Sequence, residues 1–149
     1  MSTDRAVTKD LVETLEDGKN GFAKAAERLE GDNNPDLASS FRQYSEQRAQ
    51  FSHELTELAK DYGDDVEDSG TFKASVHRAW LSVKDALSGA DPSGVLDVAE
   101  QGEDHAVKQY EKALEADISP ALRAVVARQY SAVKGTHDAV RSMRDSHKD

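Results

Sequence analysis

Cysteine is absent from the sequence, and with it disulfides, thiolate zinc sites and thiol nucleophiles. The alternation of β-branched and aromatic residues that marks strands is also missing, which excludes a sheet-based fold. No apolar run approaches the ~20 residues needed to span a bilayer, and no hydrophobic signal-peptide core opens the chain. The chain therefore reads as cytoplasmic, with no membrane partner. Gly102 and Gly135 fall inside helical stretches, so there is no Gly-rich phosphate loop. Nor is there a Ser-His-Asp order or a basic helix interleaved with aromatics. Base is the scarcer sign of charge: 19 basic residues against 29 acidic give a formal net charge of −10. That argues against nucleic acid and anionic membranes, both of which need a basic surface. It suits cations, and otherwise describes a well-solvated surface.

What remains is a chain of helix formers, 149 residues long, enough for one domain over 1–149 with a core of its own. Proline occurs three times, at Pro35, Pro92 and Pro120, each time where a helix should begin. A first helix is expected over about Arg5–Leu29, after N-cap side chains at Ser2–Asp4. Its inward seam is Leu11, Leu15, Gly18, Phe22, Ala25 and Leu29, alternating threes and fours. Gly18 and Gly21 inside it imply either a close helix approach or room for a large side chain opposite. A second helix is expected over Pro35–Tyr62, with Leu37, Phe41, Tyr44, Arg48, Phe51, Leu55 and Leu58 inward. An acidic linker over 63–70 follows. A short amphipathic helix over Phe72–Leu87 then carries Trp80 on its apolar stripe. The third long helix begins after Asp91 at Pro92 and contains the Leu96–Leu114 seam. The fourth runs over Pro120–Arg144, with Leu122, Val126, Gln129, Val133, Thr136, Val140 and Met143 inward.

Two short loops and one long crossover between four long helices give an all-α, ferritin-like antiparallel four-helix bundle. The short helix lies in the crossover between the second and third.

Polar residues break the seams, and they carry the functional reading. Glu103 stands on the third seam where an aliphatic residue belongs. A lone buried carboxylate costs several kcal/mol, so it needs a cation, a metal or a proton. Arg48 is its mirror on the second seam, and its rigid fork can meet a carboxylate with two bonds. The expectation is a buried polar cluster of Asp17, Arg48, Glu103, Gln129 and His137. In it Arg48 pairs with Glu103, and Gln129 and Asp17 complete the hydrogen bonds. The alternative is a reduced metal site built from Asp17, Glu103 and His137, holding iron or manganese. Glu100 is expected in solvent.

Several segments together resemble a known family. They are Asp17-Gly18 with Gly21-Phe22 and Ala25-Ala26-Glu27, then Arg48-Ala49-Gln50-Phe51 with Glu54-Leu55, then His77-Arg78-Ala79-Trp80. Gly102-Glu103-Asp104 followed by Tyr110, and Gln129 with Thr136-His137-Asp138, complete the set. In order and spacing they are similar to the bacterial PA2169-type four-helix-bundle proteins, a ferritin-like family defined as a domain of unknown function. The resemblance implies a ferritin-like fold and supplies no activity.

A ferritin-like di-iron centre needs a Glu from each of two helices and a Glu-x-x-His pair from each of the others. Here the second helix has Glu46-Gln47-Arg48-Ala49 with no His, and Lys134 stands three residues before His137. The reading is a non-enzymatic bacterial stress, accessory or assembly protein with no catalytic residues and no cofactor. A metal-binding oxidoreductase or storage protein with a remodelled site is the alternative. His77, Arg78 and Trp80 form the candidate interaction surface, and a homodimer in contact through the helix around Trp80 is a third alternative.

Overall fold

A computed structural model of the chain describes residues 2–31, 34–61 and 92–146. These form four helices: α1 (Ser2–Gly31), α2 (Pro35–Asp61), α3 (Pro92–Glu115) and α4 (Pro120–Ser146). No strand occurs among the described residues. The short helix expected over Phe72–Leu87, with His77, Arg78 and Trp80, lies outside them.

Local chemistry sets the helix ends. The Asn34 amide donates to the Leu29 carbonyl at 2.9 Å, closing α1, and the Asn34 carbonyl accepts the first bond of α2 from Ala38. Pro35 is thus the first residue of α2, where its missing N–H costs nothing. At the other loop the Ser119 hydroxyl accepts from the Leu122 amide at 3.3 Å, as an N-cap does. Arg123 reaches back and donates to the carbonyls of Leu114 and Ala116 at 2.6 and 2.8 Å. These are orphan acceptors in and just past the last turn of α3, where a cation also meets the negative end of the helix dipole. Asp4 departs from its expected role. It lies inside α1, and its carboxylate accepts the backbone N–H of Ser119 at 2.9 Å. The start of α1 is thereby tied to the α3–α4 turn.

α1 packs on α2 and α3, α3 packs on α4, and α2 touches α4 more lightly. The core has two apolar compartments. One gathers Leu11 and Leu15, Leu55, Tyr110 and Ala113, and Leu122 and Val126. The other gathers Phe22 and Leu29, Ala38 and Phe41, Leu96 and Ala99, and Val140. The first compartment therefore receives the start of α1, the end of α2, the end of α3 and the start of α4. Packed neighbours run antiparallel, α2 and α3 point the same way, and Asp61 and Pro92 lie at opposite ends. Each fully buried Leu or Phe is worth about 1.5–3 kcal/mol of transfer free energy, which makes these compartments the main stabilising element.

Between the compartments every helix places polar side chains inside: Asp17 on α1, Arg48 and Ser52 on α2, Glu100 and Glu103 on α3, and Thr136 and His137 on α4. On each of the four helices they fall in sequence between the residues of the two compartments.

Candidate functional site

Among the buried polar side chains, Arg48 and Glu103 meet. Both guanidinium NH2 groups donate to the carboxylate, at 2.6 and 2.7 Å. The side chains are 1% and 0% exposed, so the pair has no access to water. α2 and α3 are not packed neighbours, and the pair joins them through the middle of the bundle. Burial pulls the Arg48 pKa down, but the charge and hydrogen bonds of Glu103 more than restore it and the net shift is upward. The guanidinium stays charged. Its remaining Nε–H donates to Gln47 Oε1 at 3.3 Å, and the same oxygen accepts from the Thr136 hydroxyl at 3.3 Å.

The arginine also has close neighbours on α1. The central carbon of its guanidinium lies 5.3 Å from the Phe22 ring centroid, within cation–π range. Phe22 is itself set edge-on to Phe41 and Tyr44, with centroids 5.3 and 5.4 Å away. On another side is Gly18, where a side chain would leave only 3.3 Å to the Arg48 Nη1. The Ser45 hydroxyl donates to the Lys19 carbonyl at 2.9 Å and holds α1 against α2 beside this contact. Of the two uses expected of Gly18, the structure shows room for a large side chain. Asp17, one residue earlier, is 3% exposed, and burial pushes its carboxyl pKa up to about 7. Its Oδ1 accepts no hydrogen bond, although the residue keeps other interactions.

Gln129 serves a second network. It accepts from the Tyr110 hydroxyl at 2.7 Å, and its amide donates to Glu54 at 2.9 Å and to the Phe51 carbonyl at 3.3 Å. Glu54 in turn pairs with Arg128. Burial, with the Glu54 and Glu103 charges, pushes the Tyr110 pKa up against the opposing pull of Arg48, so the phenol stays protonated and donates.

A third group lies on the α3–α4 face. His137 is 4% exposed. Its Nε2 is 2.5 Å from Asp104 and its Nδ1 is 3.0 Å from Asp138. Asp138 also accepts from Lys134 at 3.0 Å, and these two partners hold its carboxyl below the usual range. Glu100 is 7% exposed and is held by Arg141 Nε at 2.8 Å and by Arg144. Glu100, Asp104 and His137 present ligand atoms that all lie within 4.8 Å of one another.

Asp17, Arg48, Glu103, Gln129 and His137 are therefore all buried, and Arg48 and Glu103 meet directly. Gln129 bonds Tyr110, Glu54 and Phe51 instead of completing that pair, whose further partner is Gln47. Asp17, Glu103 and His137 do not converge as one ligand group, because Glu103 gives both oxygens to Arg48 while His137 faces Asp104 and Asp138. Glu100 is buried between two arginines and not in solvent. The spacing that matters is Glu100 to Asp104, one turn apart on one face of α3. Tyr110 was legible as an inward aromatic whose hydroxyl needs a partner.

The fold and site together define an all-helical bundle with an ion pair enclosed at its centre. Residues 6–116 match the family model described as domain of unknown function (DUF2383), and the chain belongs to that family. The match covers Asp17, Arg48 and Glu103, and ends before Gln129 and His137. No curated protein matches the chain.

Proposed function

We propose that the protein is a ferritin-like bundle of the PA2169 type in which an ion pair stands where a di-iron centre would be. It acts in the bacterial cytoplasm by binding or assembly, as a stress or accessory protein, and not by catalysis. One observation carries this reading: both oxygens of Glu103, the carboxylate best placed to bridge two metals, are taken by a buried guanidinium. A fixed positive charge at that point repels a cation from the bundle centre. The donor set fits poorly as well, since Glu46-Gln47-Arg48-Ala49 and Lys134-Gly135-Thr136-His137 both lack a complete Glu-x-x-His pair. No described helix is long and apolar enough to cross a membrane, which is compatible with a cytoplasmic role. A homodimer in contact through the helix expected around Trp80 is a further alternative.

Metal analysis of the full chain, purified without a His-tag, tests the reading. Comparison of wild type with Glu103→Ala should reveal no iron or manganese whose retention depends on Glu103. Stoichiometric iron or manganese that vanishes in Glu103→Ala would overturn it. Sedimentation over a range of concentrations tests the dimer alternative, and a monomer at high concentration removes it.

A further inference from the structure

We propose that Glu100, Asp104 and His137 form a binding site for one divalent transition-metal ion in the groove between α3 and α4. The site is separate from the Arg48–Glu103 pair and does not rest on the reading of the bundle centre. Metal–nitrogen and metal–oxygen bonds are about 2.0–2.2 Å, which puts two ligand atoms on one ion roughly 3–4 Å apart. The three ligand atoms already lie within 4.8 Å of one another. Backbone regularity supplies the alignment: Glu100 and Asp104 are one turn apart on α3, and His137 faces them from α4.

The histidine carries the argument. It is 4% exposed, and carboxylates stand at both ring nitrogens, Asp138 at Nδ1 and Asp104 at Nε2. When the neutral ring donates its Nδ1–H to Asp138, the Nε2 lone pair points at the Asp104 carboxylate 2.5 Å away. Two acceptors then face each other, and a positive species must lie between them. At 2.5 Å that species is a proton, with the ring an imidazolium; a metal ion replaces the proton when the 45% exposed Asp104 side chain moves back until nitrogen and oxygen stand about 3–4 Å apart. A carboxylate on the non-ligating nitrogen is also the arrangement that orients metal-binding histidines and raises their basicity.

Glu100 takes part without losing its arginines. Arg141 and Arg144 occupy one acceptor position on each of its oxygens, and a carboxylate offers about four. The half-exposed Arg141 guanidinium is also 4.0 Å from Asp104 and has room to turn outward. The arginines and Lys134 offset part of the charge of Glu100, Asp104 and Asp138, which moderates the affinity. One imidazole and two carboxylates suit borderline ions such as Zn²⁺, Mn²⁺ and Fe²⁺. Asp104 is 45% exposed, so the ion reaches solvent and keeps water in its remaining positions.

Titration of the untagged full chain with Co²⁺, read by visible absorption, and with Zn²⁺, read by calorimetry, tests the site at neutral pH. The expected result is one ion per chain, bound with proton release and more weakly as the pH falls. His137→Gln and Asp104→Asn should abolish stoichiometric binding. Asp138→Asn should weaken it about tenfold, through loss of the orienting carboxylate. Glu103→Gln should leave it unchanged. Circular dichroism reports whether each variant is folded; if His137→Gln is not, Asp104→Asn at its half-exposed position gives the same reading. Absence of binding, or binding that survives both substitutions, overturns the proposal. An ion lost in Glu103→Gln but kept in Asp104→Asn also overturns it and places metal at the bundle centre, whereas failure of this site alone leaves the reading of the centre intact.

Discussion

Gly18 of α1 and Arg48 of α2 are fitted to each other: a Cβ at position 18 would stand 3.3 Å from Nη1, 3.6 Å from Cγ and 3.9 Å from Cδ of the arginine. A glycine within a helix costs about 1 kcal/mol relative to alanine. Here that cost is offset by space for a guanidinium that Glu103 holds with two bonds and Phe22 covers on one face. The arginine has little freedom to retreat.

Gly18→Ala and Gly135→Ala should therefore change stability in opposite directions. A Cβ at Gly135 meets nothing within 4 Å, so alanine there gains helix propensity, about 0.5–1 kcal/mol. Alanine at Gly18 gains the same propensity but pushes Arg48 off Glu103, with a net loss. Urea unfolding of both variants checks this. Equal stabilisation by both would mean that Arg48 is not confined.

Arg48→Met should destabilise the chain by about 3–5 kcal/mol, because it strands a carboxylate that is 0% exposed. Glu103→Leu should cost a similar amount for the mirrored reason. The double variant should recover to within about 1 kcal/mol of wild type, since a well-packed apolar replacement of a buried pair is often neutral or better. A double-mutant cycle by chemical denaturation reads the coupling directly. Additive losses would show that the two side chains do not depend on each other.

The pH dependence of stability should carry a contribution from Asp17. Its carboxyl moves from an ordinary 3.8 in the unfolded chain to about 7 in the fold, through burial. Below about pH 4 the group is protonated in both states, and its contribution is fully present. Between about 4 and 7 only the unfolded chain releases the proton, so stability falls as pH rises and stays lower above 7. Asp17→Asn removes that slope. Relative to wild type it should gain on the order of 4 kcal/mol in unfolding free energy between pH 4 and pH 8. A constant difference between the two proteins across that range would show an unshifted carboxyl.

Most of the bundle was legible because helix periodicity and proline position are local signals. Pro35, Pro92 and Pro120 each open a helix, and the seams over Leu11–Leu29 and Leu122–Val140 turned out buried. Arg48 and Glu103 stood out for the same reason, as charges at positions where the period demands carbon. Less was legible where the outcome depends on which helices face each other. Gln129 is inward as its period says, but its partner Tyr110 lies on α3 and its partner Glu54 on α2. Glu100 reads as a surface residue on its own helix; only the approach of Arg141 and Arg144 from α4 buries it. Asp4 has N-cap chemistry, and nothing local says that it serves Ser119, 115 residues away.

Tyr110→Phe should cost about 1–3 kcal/mol, although the ring and its packing are retained. The Tyr110 hydroxyl donates to Gln129 Oε1 in a fully buried contact, and its loss leaves that oxygen without its donor inside the core. Removing the acceptor as well should restore much of the loss, so Tyr110→Phe with Gln129→Leu should be more stable than the sum of the single changes predicts. The recovery should be incomplete, because the Gln129 amide also donates to Glu54 and to the Phe51 carbonyl. Thermal and urea unfolding of the four proteins gives the coupling. If Tyr110→Phe proves neutral, the hydroxyl was already satisfied elsewhere, and the α3–α4 contact is held by packing alone.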